Sequence, residues 1–175
     1  MSIAAMPELS HESLSPDFEE IYRLYSPMIY RTARAVMGSS EDAEDVLQSI
    51  FLKLIRLELS SQLRKNPKAY LYRMAVNASL DMLRARRLRT FTHDVEQLKT
   101  FPTDGQKRFD EELHLRLNAA LAGLSPESVQ ILVLRYVHDY SDAEISKLLG
   151  TSRGAIALRL FRVRARLKKV LNEKR

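Results

Sequence analysis

The sequence predicts an all-α protein in which two small helical domains are joined by a flexible linker. Glycine occurs only 5 times in 175 residues, and the helix-favouring residues Ala, Leu, Arg and Glu are abundant. Apolar residues recur every three or four positions, and Ser, Asn or Pro stands where most of these runs begin. Residues 90–108 lack this periodicity and divide the chain into domains at 15–89 and 109–175. Residues 1–14 are expected to form a disordered tail.

The composition limits the classes of function that fit. Lys and Arg number 28 against 22 Asp and Glu, a net charge of +6, and the surplus is concentrated in 84–89 and 153–175. Clustered positive charge indicates a polyanionic partner. Cysteine is absent, which excludes disulfides and thiolate metal sites. Since no apolar run approaches the roughly 20 residues that span a bilayer, and no secretory signal is recognisable, we expect a cytoplasmic protein that is not membrane-embedded.

The N-terminal domain is predicted to begin with three helices. Pro16 stands at the first position of the first helix, and Pro27 is expected to break it, so that a second helix runs to Gly38. Ser39 precedes the third helix, whose acidic first turn suits the helix dipole. Apolar residues at helical spacing are expected to form its core stripe.

The outer face of the third helix is predicted to bind a partner. Four carboxylates lie within five residues there, but they spread around the helix and no histidine is near, so a metal site is not predicted. Capping of the helix and an exposed interaction surface account for them better. The candidate partner-binding residues are Asp42, Glu44, Asp45, Gln48 and Leu52.

A polar, irregular segment at 57–68 is predicted to be a loop, and a fourth helix follows it to about Arg89. Aromatic and arginine side chains are interleaved outside the core stripe of this helix. Such a surface can stack unpaired bases while the guanidinium groups hold the backbone. Alternatively, Tyr70 and Tyr72 are half-buried residues at the edge of the core. The candidate nucleic-acid contacts of the helix are Tyr70, Tyr72, Arg73, Asn77, Arg84 and Arg87.

The C-terminal domain is predicted to end in a helix-turn-helix. Helices at 110–124 and 125–137 precede a short helix from Ser141, a turn at Gly150 and a long helix at 152–171. The long helix has one apolar stripe and arginines on its outer face, as expected of a helix that enters a DNA major groove. The alternative is a solvated basic helix.

Several segments together resemble those of extracytoplasmic-function (ECF) sigma factors, the small two-domain members of the sigma-70 family. The run EDAEDVLQSIF at 41–51 resembles their region 2.2. AYLYRMAVN at 69–77, followed by DMLR, resembles regions 2.3 and 2.4. The segments from LSPE to LRY at 124–136 and from YSDAEI to LLG at 140–150 resemble region 4. These motifs occur in family order with the expected linker between them.

The resemblance implies a specificity subunit and not an enzyme, with no cofactor and no small-molecule substrate. The outer face of the third helix would dock on core bacterial RNA polymerase, and region 4 would contact another large polymerase subunit. The loop at 58–68, with Arg64 and Lys65, and the fourth helix would capture the −10 element of promoter DNA. The last helix would read the −35 element. An anti-sigma factor is expected as a further partner. The residues implied for the −35 element are Ser152, Arg153, Leu158, Arg159, Arg162 and Arg166.

Two other classes of function remain open at the level of sequence. A conventional helix-turn-helix regulator would bind duplex DNA tightly without polymerase. A helical enzyme would need converging titratable groups, but the four histidines, at positions 11, 93, 114 and 138, fall in the tail, at the start of the linker and on unrelated helices. No catalytic set is predicted.

Overall fold

A computed structural model describes residues 16–56, 61–93 and 105–172, and it describes the side chains of 18–56, 63–89 and 112–172. Within these ranges the chain forms α-helices and no strands, which confirms the predicted fold class. The helices are α1 (Pro16–Met37), α2 (Ser40–Arg56), α3 (Ser61–Lys65), α4 (Pro67–His93), α5 (Gly105–Ala122), α6 (Pro126–Tyr136), α7 (Asp142–Leu149) and α8 (Arg153–Asn172).

The first helix is continuous through Pro27, so the prediction that proline would break it is wrong. A proline in a helix interior costs about 3 kcal/mol. Apolar residues on both sides of it are buried, Phe18 before it and Ile29, Ala33 and Val36 after it. Each fully buried Val or Ile side chain contributes about 1.5–3 kcal/mol. Packing therefore offsets the lost backbone hydrogen bond. The helix ends where predicted, because Gly38 has φ +77°.

Two predicted boundaries differ from the structure. The segment predicted to be a loop contains helix α3, and Leu63 of this helix is buried in the core. That apolar anchor explains why the polar segment folds; its residues 57–60 lie outside the described ranges. The predicted linker at 90–108 is shorter at both ends, since α4 continues to His93 and α5 begins at Gly105. Its middle part, 94–104, lies outside the described residues, as does the predicted tail.

Helices α1, α2 and α4 pack together as the N-terminal core, with α3 against α4. Ile29, Val46, Ile50 and Leu71 are fully buried there. Asn66 caps α4 as its sequence position predicts, because its Oδ1 accepts a hydrogen bond of 3.1 Å from the backbone N–H of Ala69.

Helices α5 to α8 form the C-terminal half, in which α5, α6 and α7 pack directly on α4. Helix α4 contacts α5, α6 and α7 in addition to α1 and α2. The buried side chains of both halves consequently form one continuous hydrophobic cluster. Helix α4 is buried on more than the single stripe predicted, because Tyr72, Val76 and Leu80 are buried as well as Leu71 and Ala75.

Candidate nucleic-acid and polymerase interfaces

The helix-turn-helix is built from two capped helices. The Ser141 side chain accepts a hydrogen bond from the backbone of Glu144, and the Glu144 carboxylate accepts one from the backbone N–H of Ser141. The Ser141 hydroxyl donates to the Glu144 carboxylate at 2.6 Å, and together with the backbone N–H of Ser141 at 2.8 Å it holds the pKa of Glu144 below its ordinary value. Gly150 ends α7 in the left-handed conformation, with φ +65°. Ser152 then caps α8 by accepting a 3.1 Å hydrogen bond from the backbone of Ala155.

The outer face of α8 is exposed and basic. Ile156, Leu160 and Val163 are the buried stripe that fixes the helix against its neighbours. With that stripe turned inward, all the residues that the sequence assigned to the −35 element are exposed, namely Ser152, Arg153, Leu158, Arg159, Arg162 and Arg166. Phe161 was not predicted, yet its ring is 66% exposed among them. Phe161 directly follows the buried Leu160, so its position relative to the buried stripe could have predicted its exposure.

The candidate −10 residues on α3 and α4 have different environments. Arg64, Lys65, Arg73 and Arg87 are exposed, while Tyr70 and Asn77 are partly buried. The side-chain Oδ1 of Asn77 is buried and has no hydrogen-bond partner. Tyr72 is only 2% exposed, so the sequence-based expectation that it lies on the surface of α4 is wrong for this arrangement of the helices.

Arg84 joins the two halves of the molecule. Its Nε donates a hydrogen bond of 3.2 Å to the carbonyl of Ala122, and its Nη2 donates one of 3.1 Å to the carbonyl of Leu124. Carbonyls at a helix C-terminus lack intrahelical partners and carry partial negative charge, so an arginine satisfies them well. In this arrangement Arg84 binds protein backbone.

The outer face of α2 borders an apolar groove against α1. The groove has a volume of about 460 Å³, and its lining residues are Phe18, Glu19, Tyr22, Leu47, Gln48, Phe51, Leu52 and Ile55. Glu44, Asp45 and Gln48 are exposed, as predicted from the sequence. Leu52 and Ile55 are about half exposed, at 52% and 51%. An exposed apolar groove beside carboxylates is typical of a protein-binding surface.

Asp42 does not lie on this outer face, contrary to the sequence-based expectation. Its carboxylate is buried and forms a two-pronged ion pair with the guanidinium group of Arg86 on α4. The hydrogen bonds from Arg86 hold the pKa of Asp42 below its ordinary value. Its role in the structure is therefore to join α2 to α4.

A cavity of about 550 Å³ separates the candidate −10 surface from the helix-turn-helix. Lys65, Tyr70 and Arg73 line one side of it, and Lys147 and Arg159 line the other. Residues of the candidate −10 surface therefore face Arg159 of the candidate −35 surface across this cavity. Among the described residues no group of acidic or histidine side chains could hold a metal ion.

Comparison with known proteins assigns the chain to one family. Residues 21–89 match the family model Sigma-70 region 2, and residues 114–167 match Sigma-70, region 4. The ECF RNA polymerase sigma factor SigM of Mycobacterium tuberculosis is 30% identical over 154 residues, which cover 88% of this chain and 76% of SigM. The chain belongs to the ECF sigma factors of the sigma-70 family. This family consists of transcription initiation factors that are not themselves catalytic.

Further relatives of this sigma factor agree with the assignment. SigE of Mycolicibacterium smegmatis is 30% identical over 164 residues, and the match covers 91% of this chain but 63% of SigE, slightly under two thirds of its length. The structure of CnrH in complex with the cytosolic domain of CnrY has a TM-score of 0.52 at 20% identity, over 93% of this chain and 92% of CnrH. RpoE of Bartonella quintana, in complex with the anti-sigma factor NepR, has a TM-score of 0.50 at 23% identity, over 91% and 99%. These two support the fold.

The described helices of this sigma factor include none that is long and apolar enough to cross a membrane. The turn between α6 and α7, which no sequence pattern marked, makes the most specific contact between its two halves. His138 of this turn has its Nε2 2.9 Å from the hydroxyl oxygen of Thr32 on α1. The imidazole also meets the ring of Tyr72 edge-on, with 4.9 Å between the ring centroids.

Proposed function

We propose that this sigma factor binds core bacterial RNA polymerase and directs it to promoters through a −10 and a −35 element. The observation that supports this proposal is the presence of two basic surfaces, on α3–α4 and α8, and a separate apolar groove between α1 and α2 in one chain that matches both family models. Residues 15–89 would be the polymerase- and −10-binding domain, 90–108 the linker and 109–175 the −35-binding domain. The protein would act in the cytoplasm, need no cofactor, and leave RNA synthesis to the core enzyme.

The polymerase-docking surface in this proposal is the α1–α2 groove and its acidic rim. Leu52 and Ile55 supply apolar area, while Glu44, Asp45 and Gln48 supply charge and hydrogen bonds at the edge. Central apolar contacts provide most of the binding energy of such interfaces, and rim charges mainly provide specificity and association rate. Asp42 would contribute indirectly, because its ion pair with Arg86 fixes the position of α2.

The −10 surface in this proposal is α4 together with α3. Arg64, Lys65 and Arg73 would hold phosphates, and the ring of Tyr70 would stack on an unpaired base. The Oδ1 of Asn77 has no hydrogen-bond partner and is buried, so it could accept a hydrogen bond from a base once it is uncovered. The proposed contacts of Tyr72, Arg84 and Arg87 complete this surface, but Tyr72 and Arg84 would first have to leave their partners in the C-terminal half.

The −35 surface in this proposal is the outer face of α8. Arginines form their commonest specific DNA contact with guanine, so Arg159 and Arg162 are the candidates for direct readout. Leu158 and Phe161 are apolar and exposed, which suits contact with the methyl group of thymine. Arg153 and Arg166, near the two ends of this face, would neutralise phosphates, and Ser152 would position the N-terminus of the helix.

An anti-sigma factor is the further partner that we propose for this chain. The RpoE relative is described in complex with the anti-sigma factor NepR, and the apolar groove and basic surfaces described above would offer such a protein a large area to cover. No sequence feature identifies this inhibitor.

Run-off transcription tests the proposal. Core bacterial RNA polymerase would be supplied with a fragmented genomic template, with and without this protein, and the same samples would be analysed by size-exclusion chromatography. New discrete transcripts together with co-elution are the expected result. If the protein neither co-elutes nor redirects initiation, yet shifts duplex DNA alone, it is a conventional helix-turn-helix regulator.

A further inference from the structure

The contact between the α6–α7 turn and the N-terminal half is specific and polar. Thr32 is completely buried, and the imidazole of His138 is the side-chain partner of its hydroxyl group. Tyr140 of the same turn lies edge-on to Tyr72, with 6.4 Å between the ring centroids, and the Lys68 ammonium group lies 5.0 Å from the centre of the Tyr140 ring. The turn therefore covers Tyr72 with two rings.

The backbone of the turn is held in a single conformation. Asp139 has φ +57°, a left-handed value that Asp tolerates better than most residues. The backbone N–H of Tyr140 donates to the carbonyl of Leu134 at 3.0 Å, and Arg135 donates to the carbonyl of Tyr140 at 3.0 Å. Because α6 fixes the turn in this way, His138 and Tyr140 are presented to α1 and α4 in a fixed geometry.

We propose that the α6–α7 turn is a pH-sensitive latch, in which neutral His138 closes the C-terminal half over Tyr72 and protonated His138 releases it. The latch as such is independent of the proposed function. Its consequence for transcription rests on that function, because Tyr72 can stack on a −10 base only after the turn has moved away. The closed arrangement would then be an inactive form of the sigma factor.

The charges around His138 favour the neutral ring. Arg31 on α1 and Lys68 on α4 repel an imidazolium ion, and Asp139 on the turn itself is the carboxylate that attracts it. Tyr72 faces the ring as a neutral phenol, since burial raises the pKa of its hydroxyl group. A protonated imidazole would consequently be placed in a half-buried site beside two cations.

The direction of the pH effect follows from the difference in the pKa of His138 between the closed and the open state. Burial, with Arg31 and Lys68, lowers the pKa of His138 to about 4 in the closed state, whereas an exposed histidine in the open state titrates near 6.5. The open state therefore binds more protons between these values, and closing is fully favoured above pH 6.5 and weakens as the pH falls towards 4. At pH 5 the closing equilibrium constant should be about 30-fold smaller than at pH 8.

The absence of cysteine from the chain makes a direct test possible. Cysteines introduced at two exposed positions, Lys53→Cys on α2 and Ala165→Cys on α8, would carry a donor and an acceptor dye on the full-length protein. Energy transfer would be measured from pH 8 to pH 5 without polymerase or DNA, so failure of the latch and failure of the proposed function are separate results. Circular dichroism at each pH would establish that the helices persist.

The expected result is a fall in energy transfer as the pH decreases, at constant helicity. His138→Gln keeps a neutral amide near Thr32 and should abolish the pH dependence. The matched control His114→Gln, at a histidine of α5 that lies beside Gly38 at the end of α1, should retain it. Energy transfer that is unchanged in the wild-type protein between pH 8 and pH 5 would overturn the proposal. So would an equal pH response in the His138→Gln protein.

Discussion

Replacing Leu52 by Ala should weaken polymerase binding without affecting the fold. The Leu52 side chain is 52% exposed on the rim of the α1–α2 groove. Complete burial of a leucine contributes about 1.5–3 kcal/mol, so burying the exposed half at an interface contributes about 1 kcal/mol. That energy corresponds to a roughly fivefold increase in Kd. Ile55 is 51% exposed in the same groove, and the double substitution should cost about 2 kcal/mol, a roughly 30-fold increase.

The assay is a titration of core bacterial RNA polymerase with a fluorescently labelled protein, followed by anisotropy. Leu24→Ala is the matched control, because Leu24 is 54% exposed and lies on a different surface of α1, beside Leu63 and Arg64. Its Kd should equal that of the wild-type protein. If Leu52→Ala and Leu24→Ala had the same affinity for polymerase, the groove would not be the docking surface and the energy argument would be wrong.

Three further outcomes are expected. Arg162→Ala should cost about 1–3 kcal/mol of promoter-binding free energy and therefore reduce transcription roughly 5- to 150-fold at promoters that have the −35 element. An equal loss at promoters without this element would show that the contact is nonspecific. Gly150→Ala should lower the free energy of unfolding by about 1–2 kcal/mol, because Gly150 has a left-handed φ. The control Gly154→Ala, in α8 with open space around it, should be neutral or raise the free energy of unfolding by up to about 1 kcal/mol. Thermal unfolding of the two variants measures this difference in stability. The Asp42–Arg86 ion pair stabilises the fold fully above the ordinary pKa of aspartate, near 3.9, and its contribution is lost as the pH falls through the lowered pKa of Asp42 in the folded state. Asp42→Asn should therefore destabilise the protein at pH 7, and acid-unfolding curves should show that its effect becomes smaller as the pH falls below about 3.9.

The helix-turn-helix could be predicted almost completely from the sequence because its signals are local. Ser141 and Glu144 are three residues apart, which is the spacing of a capping box, and Gly150 is a residue that ends a helix in the left-handed conformation. A stripe at helical spacing decides which side of α8 is buried, so the exposure of Arg159 and Arg162 follows from it. None of these features depends on contacts with distant parts of the chain.

The environment of Asp42 could not be predicted in the same way. By position it is an acidic residue in the first turn of a helix, which is a common and usually exposed arrangement. Its burial depends on Arg86, 44 residues later in the chain, which approaches only when α4 packs on α2. The continuity of α1 through Pro27 has a similar origin, since tertiary burial of apolar side chains offsets a local cost that sequence reasoning treats as decisive.

Tyr72 on helix α4 is suited by its sequence context to contact either DNA or protein, but in the structure it can make only one of these contacts at a time. Leu71 and Ala75 define one apolar stripe, and Tyr72, Val76 and Leu80 define a second, so α4 has two faces that can be covered. The sequence predicts that Tyr72 either stacks on a base or lies half-buried at the edge of the core, and a tyrosine ring packs equally well on a base or on a protein side chain. In this structure the α6–α7 turn occupies that face. Binding of Tyr72 to unpaired DNA and closure of the two halves therefore compete, and any change that weakens the turn should make the −10 surface more accessible.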